Sequence, residues 1–393
     1  MTIGLYVHVP FCASRCPYCD FATAPATTRL RGRYLATLQT EIEREGAMLR
    51  RPTVDTLYFG GGTPSLLEPD EIALIAEAIR ASFVLDLSEA TVEANPATLD
   101  RARLDAWADL GITRLSLGAQ SFSEAGLRAL GRTHQPGDIA PAVAAARSVG
   151  LDVNLDLIFG WPGQAAGAWR ADLAAAMALE PDHVSCYPLE LALEPDEASG
   201  NWPGGWRGLA RWRRRTAAAQ PDDRGIALLY RIAERTLGRA GYRHYEIANW
   251  ARGGKRCLHN LRYWRDDEWL GVGVGAHTHL GDVRSRNPGG LVPYLVAVEA
   301  GEPRIVDRGA DPATDSAMLA LRLDEGLDLE AYRSRFGGER AARVTASLRT
   351  LDGMRLLRWR GPRVRLSARG RLLASEVFVR LLPDEEKVML ATT

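Results

Sequence analysis

The chain has 393 residues, too many for one ordinary hydrophobic core and suited to two or three domains. Lys plus Arg and Asp plus Glu each number 49, and this zero net charge argues against a dedicated nucleic-acid binder, which carries a basic excess. A content of 46% hydrophobic and 25% charged residues is that of a soluble globular protein, with no run of the roughly 18 apolar residues that a membrane helix needs.

The N-terminal stretch MTIGLYVHVPF has neither the charged nor the apolar region of a secretory signal, so a cytoplasmic location is expected. Apolar, β-branched runs at 4–9, 54–60, 90–95, 114–120, 151–160 and 183–191 predict strands. Helical patterns over 29–50, 69–82, 98–110, 136–149 and 167–179 lie between them. Leu104, Trp107 and Leu110, for example, share one helix face, and Gly111 follows as a stop signal. Near-continuous apolar strands separated by helices predict parallel βαβ units buried on both faces. Six units rather than eight predict an α/β fold with a partial (β/α)6 barrel, its chemistry at the C-terminal ends of the strands.

The pattern dissolves between 195 and 220 into Gly, Pro, Trp and Arg, including the run RWRRR at 211–215, which reads as a solvated helix face on an insert. The expected domains are therefore 1–225, a barrel with an insert near 195–222; 226–305, completing the barrel; and 306–393. The last has two or three helices, a hairpin and a closing helix, resembling a small winged helix.

Cys12, Cys16 and Cys19 follow the first strand directly, three of only five cysteines in the chain. In a reducing compartment such a cluster points to a metal or redox site rather than to disulfides. A structural zinc site takes four ligands, whereas three thiolates suit a [4Fe–4S] cubane with one open iron. Cys186 and Cys257 are isolated and read as small buried hydrophobes. After the second strand, YFGGGTPS offers glycines that let a ligand approach the backbone. Glu93, Gln120 and Asp156 end the third, fourth and fifth strands, and Arg132 lies in LGRTH.

C-x3-C-x2-C after a first strand resembles the radical S-adenosylmethionine (SAM) superfamily, in which the open iron chelates the amino and carboxylate groups of SAM. LYVHVPFC, YFGGGTPS, VEANP, RLSLGAQSF, GRTH and DLIFGWPGQ, with GYRHYEIANWA and HNLRYW, resemble in order the oxygen-independent coproporphyrinogen III oxidase-like family over nearly the whole chain. This resemblance implies a [4Fe–4S] cluster on Cys12, Cys16 and Cys19, and SAM contacts from Tyr6, Gly61, Gly62, Thr63, Glu93, Gln120, Arg132 and Asp156. An aromatic residue beside the last cysteine, Tyr18 or Phe21, would border the cluster and adenine. An arginine suits the SAM carboxylate as a bidentate partner.

Two functions compete, radical decarboxylation of coproporphyrinogen III and heme carriage in the HemW-type heme chaperone branch, with an oxidoreductase acting on an unrelated small molecule as a third reading. The oxidases resemble C-x3-C-x2-C-x-C, with a further cysteine where this chain has Phe21, and they carry an N-terminal extension before the first strand. HNLRYW resembles the HNxxYW element of the chaperone branch, which implies heme contact by His259, with Tyr263 or Trp264 stacking and Cys257 as an alternative axial thiolate. These features favour a chaperone without oxidase activity. The implied partners are heme, an unidentified acceptor protein and an electron donor, with no nucleic acid and no integral membrane segment. His8, His134 and His277 read as structural.

Overall fold

The computed structural model describes residues 1–27, 29–191, 201–202, 205–309 and 311–382. Part of the expected insert, 195–200 and 203–204, lies outside the described residues. The chain divides into unit 1 (1–243, 251–259 and 268–307) and unit 2 (244–250, 260–267 and 308–393).

Six parallel strands carry unit 1: β1 (Thr2–Val9), β2 (Thr53–Gly61), β3 (Val84–Ala94), β4 (Arg114–Gln120), β5 (Asp152–Phe159) and β6 (His183–Pro188). They lie side by side in chain order, each paired in parallel with the next. The crossovers run through helices Arg31–Met48, Pro69–Ser82, Arg101–Leu110, Ile139–Ser148 and Ala166–Ala178. Consecutive residues such as Ile3, Gly4 and Leu5 are all buried, because helices cover the strands and both faces are dry. Local chemistry sets the ends: Asp100 caps its helix by accepting from the Arg103 amide at 2.8 Å, and Gly111 leaves it at φ 98°. A short helix, Glu124–Ala129, also follows β4; six residues are too few for periodicity to reveal it.

On its other side β1 pairs in parallel with Trp269–Val272, and the antiparallel strands His277–Leu280 and Val283–Arg286 extend the sheet from there. The order is linear, so the six strands form a partial barrel with its open end at their C-termini. Within unit 2, helices Pro312–Arg322, Leu329–Phe336 and Gly338–Arg349 and the hairpin Leu357–Arg360 with Arg363–Leu366 enclose a core that includes Leu321, Leu348, Val364 and Val377. Three helices and a hairpin give the winged-helix character that the sequence suggests. Among the described residues no helix is long and apolar enough to cross a membrane.

Unit 1 is tied together by a buried carboxylate. Glu41, on the first helix, accepts from the Gly273 amide at 2.8 Å, Asn287 Nδ2 at 2.7 Å, the Tyr294 hydroxyl at 2.8 Å and Arg304 Nη2 at 2.8 Å. Burial pushes its carboxyl above the usual range, and the Arg304 guanidinium pulls it back. Removing one partner of a buried ion pair strands the other. Glu41→Ala is therefore expected to lower unfolding free energy by roughly 3–5 kcal/mol in a denaturant titration, and Glu41→Gln, which keeps an acceptor oxygen, by clearly less.

Candidate functional site

At the C-terminal end of β1 the backbone enters the cysteine loop, and at the end of β2 the glycine run lies directly on it. The Gly62 amide donates to the Val9 carbonyl at 2.8 Å and the Thr63 amide to the Phe11 carbonyl at 2.9 Å. A side chain at Gly61, whose φ is 108°, would meet the His8 ring at 2.3 Å, and one at Gly62 would meet the Pro10 carbonyl at 2.5 Å. Glycine is required at both by this close approach. His8 is the residue that the sequence undervalues. Burial pushes its imidazole down to about 4, so it is neutral. Its Nε2 lies 2.9 Å from the Ala22 carbonyl, which can only accept. Nε2 therefore carries the proton and Nδ1 accepts from the Tyr6 hydroxyl at 3.1 Å.

The cysteine loop, the glycine run and the ends of β3 to β6 surround one cavity of about 380 Å³. Cys12, Cys16, Cys19, Tyr18, Phe21, Gly61, Gly62, Thr63, Glu93, Gln120, Arg132 and Asp156 all line it. Cys12 Sγ lies 3.4 Å from Thr63 Oγ1, and Arg132 Nη1 donates to Cys16 Sγ at 3.4 Å. Burial, ahead of repulsion among the neighbouring thiols, pushes the Cys12 thiol up to about 11 and the Cys19 thiol up to about 12. Arg132 Nη2 donates to the Gly118 carbonyl at 3.1 Å, while its Nε is buried with no hydrogen-bond partner among the described residues. Gln120 sits at φ 61° where the pairing of β4 with β5 slips, an unusual backbone that aims its amide at the cavity rim.

Below the rim lies a polar tier. Glu93 accepts from the Tyr58 hydroxyl at 2.8 Å and the Gly61 amide at 3.0 Å. Burial, then repulsion from Asp156, pushes its carboxyl up to about 7. Asp156 accepts from Ser116 at 2.9 Å and Asn154 Nδ2 at 2.9 Å, and burial pushes it up as well. His183 and Ser185 continue the tier through Asn154 Oδ1, at 2.7 and 3.3 Å.

Five of the predicted residues, Tyr6, Cys257, His259, Tyr263 and Trp264, do not line the cavity. Tyr6 stacks on Tyr58, ring centroids 6.1 Å apart, and its hydroxyl bonds to His8. His259 is fully buried: its ring stacks on Tyr58 at 5.3 Å and its Nδ1 lies 3.0 Å from Thr56 Oγ1. In this structure the ring is enclosed behind the tyrosine that holds Glu93. Cys257 is likewise buried, its thiol 3.3 Å from Glu89, whose carboxylate pairs with Arg114 at 2.9 Å. Tyr263 and Trp264 belong to unit 2, where Trp264 carries the Arg322 guanidinium at 4.4 Å. The sequence reading missed Tyr187 and Asn95 on the cavity wall, although both stand at strand ends, where the rule that found Glu93 also applies.

Among the described residues no group of three His, Cys, Asp or Glu side chains converges to hold a single metal ion. A cubane takes one thiolate per iron and does not ask for that convergence. Three thiols at one end of the cavity, an unpartnered buried guanidinium donor and a backbone wall that tolerates no side chain could hold such a cluster with an anionic, amine-bearing ligand. The donor set fits.

The radical SAM superfamily model matches residues 6–173, and that of the HemN C-terminal domain residues 309–373. The chain is 39% identical to the heme chaperone HemW of Mycobacterium tuberculosis, across 96% of this chain and 94% of that one. It is 30% identical to the heme chaperone HemW of Bacillus subtilis, across 95% and 97%. Among solved structures, coproporphyrinogen III oxidase (HemN) from Escherichia coli shares the fold, with a TM-score of 0.81 at 23% identity, covering 96% of this chain and 89% of that one. The superfamily match implies a [4Fe–4S] cluster and SAM. With relatives of this identity aligned nearly end to end, the chain belongs to the HemW family of radical SAM proteins.

Proposed function

We propose that the protein is a heme chaperone: a radical SAM protein that holds a [4Fe–4S] cluster on Cys12, Cys16 and Cys19, binds SAM at the open iron, and carries heme as cargo to an acceptor protein. The observation that carries this reading is the near end-to-end likeness to heme chaperones, combined with Phe21 at the position of the oxidases' extra cysteine. Together, cluster and SAM supply one-electron chemistry, for which an electron donor is a further partner. Around them the chain's own residues bind and orient. The backbone of Gly61 to Thr63 faces the methionine amino group, Arg132 the carboxylate, and Glu93, Gln120 and Asp156 the ribose hydroxyls and remaining methionine atoms. Tyr6 acts at one remove, through its stack on Tyr58.

The cargo is assigned to the open side of the cavity. Phe21 is 60% exposed and Tyr187 38%, both on the cavity wall, and two such aromatic faces suit a planar macrocycle. None of the five cysteines is in a disulfide, which agrees with the reducing cytoplasm as the proposed compartment.

Anaerobic reconstitution of Cys16→Ser is expected to give an iron–sulfur absorbance far below that of the wild type, and a full spectrum would refute the three-ligand assignment. The function itself is tested by two measurements on the reconstituted wild type. Hemin is expected to bind, and coproporphyrinogen III with SAM and reductant to yield no protoporphyrinogen; robust product would make the protein an oxidase. Since His259 is enclosed, His259→Ala is expected to titrate with hemin as the wild type does. SAM binding should also depend on pH. Glu93 is raised to about 7, so raising the pH from 6 to 8 converts it to the carboxylate that the donors of SAM require. Apparent affinity should rise by about tenfold over that range, following the competent fraction, and Glu93→Gln should abolish the rise in equilibrium dialysis.

A further inference from the structure

The run RWRRR has no chemistry of its own in the sequence, yet the structure divides it. Arg211, Arg214 and Arg215 are exposed, while Arg213 is 1% exposed. All four lie on the helix Gly205–Ala219, in the segment inserted after β6. From that helix Arg213 reaches the cysteine loop. Its Nε donates to the Pro17 carbonyl at 2.9 Å and its Nη2 to the Cys19 carbonyl at 2.9 Å, and Nη2 lies 2.7 Å from Asp20 Oδ1. The same segment engages the far end of the loop, where Trp202 Nε1 donates to Thr23 Oγ1 at 3.0 Å. The helix is itself anchored to the sheet, since Gln220 Nε2 donates to the Leu189 carbonyl at 2.6 Å, just beyond β6.

A guanidinium is costly to bury unless its donors are matched, and a planar fork facing two carbonyls and a carboxylate provides that match. Nothing in the packing of the parallel sheet asks for a cation at this place. The three contacts fall on consecutive parts of one loop, between Cys16 and Phe21, which otherwise carries few backbone hydrogen bonds: the Cys19 amide to the Cys16 carbonyl, and the Thr23 amide to the Phe21 carbonyl.

We infer that Arg213 is a positioning residue for the iron–sulfur cluster: it pins the loop so that Cys16 and Cys19 stay at the separation a cubane requires, and it sets a fixed positive charge behind Cys19. The inference rests on the three cysteines being the cluster ligands. A thiolate-bound cluster is anionic, and charge and hydrogen bonding around it govern its retention and its potential. A lysine at this position would keep the charge but could not bridge both carbonyls and Asp20 at once.

The test is iron release from the anaerobically reconstituted full-length protein to an excess of chelator. Arg213→Lys is expected to lose iron about tenfold faster than the wild type, the effect usual for a residue that supports metal ligands, while its cluster-free form melts as the wild type does. Asp20→Asn, at a side chain 46% exposed and therefore harmless to the core, is expected to lose iron faster by a smaller factor. Electron paramagnetic resonance of the reduced cluster should shift in Arg213→Lys, a change that a purely structural role would not produce. Iron release at the wild-type rate from Arg213→Lys would overturn the inference. So would failure of that variant to fold together with wild-type retention in Asp20→Asn, because Arg213 would then be an ordinary residue of the fold. A wild-type protein that takes up no iron and sulfide would instead refute the ligand assignment.

Discussion

The site depends on one close approach: the backbone of Gly61 to Thr63 lies against the backbone of Val9 to Phe11 with no side chain between them. Two amide-to-carbonyl bonds replace what would be a layer of packing. Because the two chains touch, Cys12 and Thr63 come within 3.4 Å, and the Gly61 amide is left to face Glu93 from the neighbouring strand. The parallel order of the sheet does the rest. Each successive strand delivers its last polar residue to the same rim, as expected where the C-terminal ends of parallel strands converge. A methyl group at Gly61 would strike His8, and the whole convergence would open.

From that contact a second layer of constraint follows. Glu93 and Asp156 are close enough to repel each other and are buried, so both carboxyls are raised. Glu93 is held by Tyr58, Tyr58 by its stacks on Tyr6 and His259, and His259 by Thr56 and by the Glu89 oxygen that accepts its amide at 3.2 Å. A charge pair, Glu89 with Arg114, lies at the far end of this chain. The carboxyl that faces the cavity is therefore fixed by an aromatic relay, and the geometry of the rim is set well below it.

This relay explains where the sequence was legible and where it was not. Cys12, Cys16 and Cys19, the glycine run and the residues at the strand ends could be read because local rules locate them: spacing in the loop, and position along a strand. The depth of His259 was not legible, because HNLRYW names a residue without its surroundings. Depth follows from which helix face packs inward, and eight residues of Leu258–Arg265 carry too little periodicity to decide it. Arg213 was illegible for a related reason. One buried arginine in a run of exposed ones differs from its neighbours only by the loop it meets, and that loop lies nearly two hundred residues away in the chain. Glu41, whose four partners include Gly273, Asn287 and Arg304, is hidden by the same distance.

The charges around the cysteine loop suit an anionic ligand. Burial keeps the thiols of Cys12 and Cys19 high, so these two hold their protons. Two guanidinium groups face that loop, Arg132 at the Cys16 sulfur and Arg213 at the Cys19 carbonyl, and the Asp20 carboxylate pairs with the second. Were iron held there, the cysteines would ligate it as thiolates, and an anionic cluster would meet cations already in place.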